Sequence, residues 1–277
     1  MESRETALPI VFVHGIRVSG TMWRPVRERI GDRHPTAAPD LPGHGVRRGE
    51  RFTMSGAVDA VAEAIDELGG RALVVGLSLG GYTGIATAGC HPGRVAGLVA
   101  MGCTALPRGL FSAVYGGAAW AGARWPEAGN RLSAWGFRRV LPGPVAEAMA
   151  SGGLACEVMP SVVAAVEGME PMASLAAYAG PVWLVNGARD PFRRDERALL
   201  RACRDGRLSV RPGQGHITSL ADTAALARTV LDAAAVAVKG EGDAVAASGA
   251  VAAAVGEGEG EGGGTGTGDG GAGEGLR

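Results

Sequence analysis

Apolar residues follow two rhythms along this chain. Uninterrupted runs at 8–14 (LPIVFVH), 71–77 (RALVVGL), 94–101 (RVAGLVAM) and 181–185 (PVWLV) are rich in aliphatic residues and close on glycine or polar turns. Runs of that length and continuity suit strands buried on both faces of a parallel sheet. RLSV at 207–210 reads as a further strand, and Thr36 to Asp40 as a weaker one. Between the strands the spacing turns helical. Met22, Trp23, Val26 and Ile30 share one stripe over 21–30, where Pro25 is tolerated in a first turn. Val58, Val61, Ala62, Ile65 and Leu68 share another, which stops at Gly69-Gly70. Strands alternating with helices in this way predict βαβ crossovers and an α/β fold: a doubly wound, mostly parallel sheet of about six strands.

Two stretches depart from the alternation. Residues 106–180, between the fourth and fifth strands, are too many for a structureless loop in a compact domain. They hold seven of the chain's 13 aromatics, among them Trp120, Trp125, Trp135, Phe137 and Tyr178, and Val158, Val162, Val163 and Val166 recur at helical spacing. A helical cap over the carboxyl ends of the strands is expected there, flanked by core segments at 1–105 and 181–238. From 239 to 277 the chain is reduced mainly to Gly, Ala, Glu and other small residues, without aromatics. Such a composition offers too little apolar area to offset chain entropy, so a disordered tail is expected.

Composition narrows the partners. The 27 Lys and Arg nearly cancel the 28 Asp and Glu, giving a formal charge of -1, so nothing points to nucleic acid or to an anionic membrane. Cys90, Cys103, Cys156 and Cys203 are far apart, without Cys-x-x-Cys or Cys/His metal spacing, and are read as free buried thiols. The amino terminus carries no basic leader with a cleavage site, and no apolar run reaches the length of a membrane span. A cytoplasmic protein is the expectation. No metal site and no dinucleotide fingerprint is expected either, because the histidines are scattered and GLSLGG lacks the G-x-G-x-x-G spacing.

The candidate chemistry centres on Gly76-Leu77-Ser78-Leu79-Gly80, a G-x-S-x-G turn directly after an apolar run. A serine at a sharp strand-to-helix turn projects its hydroxyl outward, and the flanking positions need near-absent side chains. A serine hydroxyl also needs a base and a group to orient that base. His216, in the glycine-rich loop PGQGH after the last strand, is the candidate base; Asp190, immediately past PVWLV, is the candidate orienter. Asp195 and Asp222 remain alternatives for the carboxylate. Two backbone N–H groups could form an oxyanion hole: that of Leu79, next to the serine, and that of Ile16, after the first strand. His14, Asp40 and His44 read as loop architecture and Trp23 as core.

The set HG at 14–15 with Trp23 downstream, DLPGHG at 40–45, GLSLGG at 76–81, GARDP at 187–191 and GQGH at 213–216 resembles the α/β-hydrolase family over about residues 8–238. The resemblance implies Ser78 as nucleophile, His216 as general base and acid, Asp190 as orienter, Ile16 and Leu79 as oxyanion donors, and no cofactor. It differs from many relatives in starting at the strand that bears His14-Gly15, without leading antiparallel strands. The implied activity is hydrolysis of a carboxylic ester of a small, largely apolar molecule. A cofactor-free perhydrolase or haloperoxidase, a carbon–carbon bond hydrolase and a thioesterase would use the same triad, and a non-catalytic ligand-binding module is the reading outside enzymes.

Overall fold

The computed structural model describes residues 7–108 and 110–256. Six strands form one sheet, β1 (Ile10–Val13), β2 (Thr36–Ala37), β3 (Ala72–Leu77), β4 (Val95–Met101), β5 (Pro181–Gly187) and β6 (Asp205–Arg211), in the order β2-β1-β3-β4-β5-β6. Every neighbouring pair is parallel, as the continuous apolar runs required. The chain leaves β1 for β2 on one side and returns to β3 on the other. The gap between the ends of β1 and β3 is therefore the topological switch point, where ligands bind in sheets of this kind.

Alternation along the strands divides the core into two faces. Val11, Val13, Val74, Leu98, Ala100 and Leu184 pack on one side, and Ile10, Phe12, Leu73, Val75, Val99 and Val185 on the other. Helices α2 (Met54–Glu67) and α3 (Leu79–Cys90) supply residues to the first face; α1 (Arg24–Ile30) supplies the second. In α2 the expected stop at Gly69-Gly70 is present, and Thr53, which the sequence pattern did not single out, caps the start. Thr53 Oγ1 accepts the Gly56 N–H at its start, and Gly69 and Gly70 take φ of 107° and 87° at its end, where the Gly70 N–H bonds to Ile65 O at 2.9 Å.

The 106–180 insertion is helical: α4 (Leu110–Arg124), α5 (Pro126–Val140), α6 (Gly143–Ser151), α7 (Met159–Glu167) and α8 (Pro171–Ala177). Its last helix departs from a cap. α8 packs against α3 and against α9 (Glu196–Ala202), Leu175 and Tyr178 are buried in the first core face, and Tyr178 Oη donates to Val95 O at 3.0 Å. Pro181 follows at once as the first residue of β5, so α8 serves as a crossover helix of the sheet.

The compact unit ends at Val238. Residues 239–256, the first part of the expected tail, form the end of α10 (Thr223–Gly256). The stretch from Ala244 to Val255 holds seven alanines in twelve residues against one glycine, Gly249, and alanine has the highest helix propensity. The rest of the expected tail, 257–277, lies outside the described residues. No single helix among the described residues is long and apolar enough to cross a membrane.

Candidate active site

Ser78 sits between β3 and α3 with φ 58° and ψ −117°, one of two non-glycine residues at positive φ among the described residues. Such a conformation costs on the order of 1–3 kcal/mol and persists only where its surroundings enforce it. Here the enforcement is visible. The Ser78 N–H donates to Met101 O at 2.8 Å, and Ser78 O accepts the Tyr82 N–H at 3.1 Å. A side chain at Gly76 would collide with the Gly80 backbone, and one at Gly80 with the carbonyls of Val13 and His14. The glycines of the motif thus let α3 start against the ends of β1 and β3.

Asp190 and His216 meet at the same edge of the sheet. His216 Nδ1 lies 2.9 Å from Asp190 Oδ2, and Asp190 is 4% exposed. A carboxylate only accepts, so Nδ1 donates to it, and in the neutral imidazole the free lone pair is then on Nε2. The other Asp190 oxygen accepts the Phe192 N–H at 2.8 Å, which fixes the carboxylate plane. The two alternative carboxylates are occupied elsewhere: Asp195 Oδ2 accepts the Leu106 N–H at 2.8 Å, and Asp222 Oδ1 accepts the Ala225 N–H at 2.8 Å. Below the loop, Asn186 Nδ2 donates to Thr104 Oγ1 at 2.8 Å and to Glu196 Oε2 at 3.0 Å, and Glu196 pairs with Arg193 at 2.6 Å. The Arg193 hydrogen bond holds the Glu196 carboxyl below its usual range. This network ties the 187–195 segment to β5.

Ser78 and His216 line one cavity. No hydrogen bond joins the Ser78 hydroxyl to the imidazole; contacts of this type are often long before substrate binds and tighten in the complex. A second cavity also opens on Ser78 and is walled by Leu79, Tyr82, Val162, Val163 and Val166. Ile16 and Phe192 line both. Among the described residues the N–H groups of Ile16 and Leu79 make no loop, turn or cap bond to a backbone carbonyl. Among the described residues no three His, Cys, Asp or Glu side chains are grouped to hold a metal ion.

The residues read as architecture are that. His14 is fully buried; its Nε2 accepts the Leu41 N–H at 2.9 Å, so Nδ1 carries the proton and donates to Gly15 O at 2.8 Å. Burial, followed by the neighbouring His44, lowers its pKa to about 3. Asp40 accepts N–H groups from Gly20 at 2.7 Å and Val46 at 2.8 Å. His44 Nδ1 bonds to Pro42 O and its ring meets His14 edge-on. Trp23 is buried against Phe12.

Four site residues escaped the sequence. Phe192 packs its ring 4.6 Å from that of His216; its only signal was its place two residues after Asp190. Tyr82 lies one turn into α3 and donates from Oη to Ala105 O at 2.5 Å. Gly102, at φ 57°, abuts the Asp190–His216 pair. Arg17 lines the His216 cavity. Conversely, aromatics of the cap contribute little: Trp120, Trp125 and Trp135 are more than half exposed, and of the insertion's described aromatics only Phe137 reaches the cavity.

A parallel six-stranded sheet with a strained serine turn at its switch point defines a doubly wound α/β protein whose binding crevice opens at the carboxyl ends of the strands. The chain belongs to the alpha/beta hydrolase family, whose model matches residues 10–229. Lipase LipV of Mycobacterium tuberculosis is 35% identical over 92 residues, 32% of this chain and 35% of that protein. Pimeloyl-[acyl-carrier protein] methyl ester esterase of Neisseria meningitidis is 34% identical over 90 residues, 32% and 34% of the two chains. The chain thus spans about a third of the length of the curated relatives it matches. Among solved structures, a thermophilic esterase from Thermogutta terrifontis superposes with a TM-score of 0.67 at 23% identity, covering 82% of this chain and 89% of that one. The enol-lactonase from Burkholderia xenovorans gives 0.67 at 21%, covering 83% and 92%. Both share the fold.

Proposed function

We propose that this chain hydrolyses a carboxylic ester of a small, largely apolar molecule through an acyl-enzyme on Ser78. The observation that carries the reading is the Asp190–His216 pair, 2.9 Å apart, facing the cavity that Ser78 also lines. In the forward half-reaction Ser78 Oγ attacks the ester carbonyl while His216 Nε2 takes its proton, and the oxyanion forms against the N–H groups of Ile16 and Leu79. Collapse breaks the bond to the alkoxy oxygen, which leaves as the alcohol with the proton from His216. Water then repeats the sequence on the acyl-serine, with His216 again as base, and the acid departs. Asp190 holds the imidazole tautomer and stabilises the imidazolium between the two proton transfers. The aliphatic wall at Val162, Val163 and Val166 favours an apolar acyl group. The partial relatives named as a lipase and as methyl ester esterases support an ester over other carbonyl substrates.

The test is Ser78→Ala assayed on short p-nitrophenyl esters, with fluorophosphonate labelling of the parent protein. Turnover should vanish while the fold is retained, and the label should map to Ser78. Turnover persisting in the variant, or a folded parent protein that takes no label, would remove Ser78 from the reaction.

A further inference from the structure

Two cavities meet at Ser78, and only one of them contains His216. If the ester is cleaved as proposed above, the leaving oxygen must lie where His216 can return its proton. The alcohol half of the substrate therefore occupies the His216 cavity, and the acyl half occupies the cavity walled by Tyr82 and Val162. The acyl side is lined by aliphatic and aromatic groups apart from Ser78 and one edge at Glu167. The alcohol side has a different character: beside Val18, Met22, Leu77, Phe137 and Met149, its lining includes one residue with a permanent charge, Arg17.

Arg17 is unusual in two independent respects. Its backbone sits at φ 63°, with its carbonyl accepting the Ala155 N–H at 3.0 Å. A long side chain pays a steric penalty in that region that glycine would avoid, so the turn is held by its surroundings and the direction of the Arg17 Cα–Cβ bond is set. The guanidinium also has no acceptor among the described residues. Arg27 bonds to Thr36, Arg29 to Thr223, Arg47 to Glu50, Arg48 to Glu157 and Arg193 to Glu196; Arg17, only partly exposed, has no such partner among them. A guanidinium presents a planar fork of donors suited to a carboxylate or phosphate.

We propose that the His216 cavity is the leaving-group arm of the site and that Arg17 there binds an anionic group, a carboxylate or a phosphate, carried by the alcohol half of the substrate. The inference rests on the acyl-enzyme reading. It adds a polarity to the substrate: an apolar acyl group on one side of the scissile bond and an anion on the other.

The experiment compares butanoate esters of para-hydroxybenzamide, para-hydroxybenzoate and para-hydroxyphenyl phosphate in the parent protein and in Arg17→Met, which keeps an unbranched apolar stem. The readout is the ratio of kcat/KM for each anionic ester to that for the neutral one, so that any effect on folding or on the chemistry common to all three cancels. The parent ratio should exceed the Arg17→Met ratio on the order of ten- to a hundredfold for at least one anion; the carboxylate and phosphate arms show which anion fits. Added salt should shrink the preference. Equal ratios in the two proteins would overturn the assignment, as would a protein whose Ser78 takes a fluorophosphonate but which cleaves none of the three. Failure of the underlying reading looks different, since Ser78 would then take no label at all.

Discussion

Gly102 and His216 are so close that a methyl group added at the glycine α-carbon would lie 3.0 Å from His216 Nδ1, and 2.9 Å from the Asp190 oxygen bonded to it. The end of β4 therefore forms a wall against which the carboxylate–imidazole pair is pressed. Gly102→Ala brings two effects, crowding at the pair and an alanine forced to φ 57°. The second alone is of order 1 kcal/mol. We expect kcat on a short ester to fall about 10- to 100-fold, since misplacement of a catalytic group by a fraction of an ångström is costly, with unfolding free energy in urea lowered by about 1–2 kcal/mol. An alanine variant with undiminished kcat would show that the pair tolerates displacement.

The carboxylate assignment separates cleanly by substitution. Asp190→Asn replaces an acceptor that fixes the imidazole tautomer, and the expected loss in kcat is about 10³- to 10⁴-fold. Asp195→Ala removes only the bond to the Leu106 N–H at 2.8 Å, with an expected cost of about 1 kcal/mol in stability and kcat within about threefold of the parent. Steady-state kinetics on one ester, alongside denaturant unfolding of both variants, distinguishes them; a larger kcat loss in the Asp195 variant would transfer the role.

What the sequence disclosed follows from where local constraints are strong. Strands buried on both faces must be apolar at every position, so β1, β3, β4 and β5 stood out as runs. The serine turn needs Gly76 and Gly80 because backbone passes where their side chains would be, which made the motif legible. Asp190 and His216 could be placed because each follows a strand directly. Gly102 could not, because a glycine after a strand is unremarkable until its neighbours are known. Phe192 and Arg17 carry no periodicity, and their roles arise from contacts across the sheet edge. Helix α9, seven residues long, is too short for its period to register. The insertion was legible as helices but not as positions: its tryptophans face outward, while α8 joins the core, a distinction set by tertiary packing.

His14 makes the protein acid-sensitive. Its pKa is about 3 in the fold and near 6.5 in an unfolded chain. Between those values the unfolded state binds the extra proton, so stability rises with pH through the window and is lost as pH falls from about 6.5 toward 3. The slope from this one group is about 1.4 kcal/mol per pH unit. His44 is shifted in the same direction by burial. Urea unfolding at pH 7 and pH 4.5 should show a steeper loss in the parent than in His14→Asn, by about one proton. The variant should be less stable at pH 7, because the Leu41 N–H and Gly15 O lose an imidazole partner shaped for both. Parallel pH profiles would mean that His14 titrates as it does in water.

The acyl side of the site can be read by filling it. Val166 lines the apolar cavity at partial burial, on α7, beyond Val162 and Val163. Tryptophan at 166 would extend across that space with little disturbance of the core, because the valine is not enclosed on all sides. An acetate ester occupies only the region beside Ser78, between Ile16 and Leu79, and should be cleaved by Val166→Trp with kcat/KM within about threefold of the parent. An octanoate ester of the same alcohol must run along the α7 wall. Its kcat/KM should fall by at least about tenfold, corresponding to the few methylenes excluded at roughly 0.8 kcal/mol each. Because both esters share one leaving group, a change at His216 or Arg17 cannot imitate the result. Equal losses for the two chain lengths would place the acyl chain outside this cavity, and a selective loss of the long chain fixes its direction toward α7.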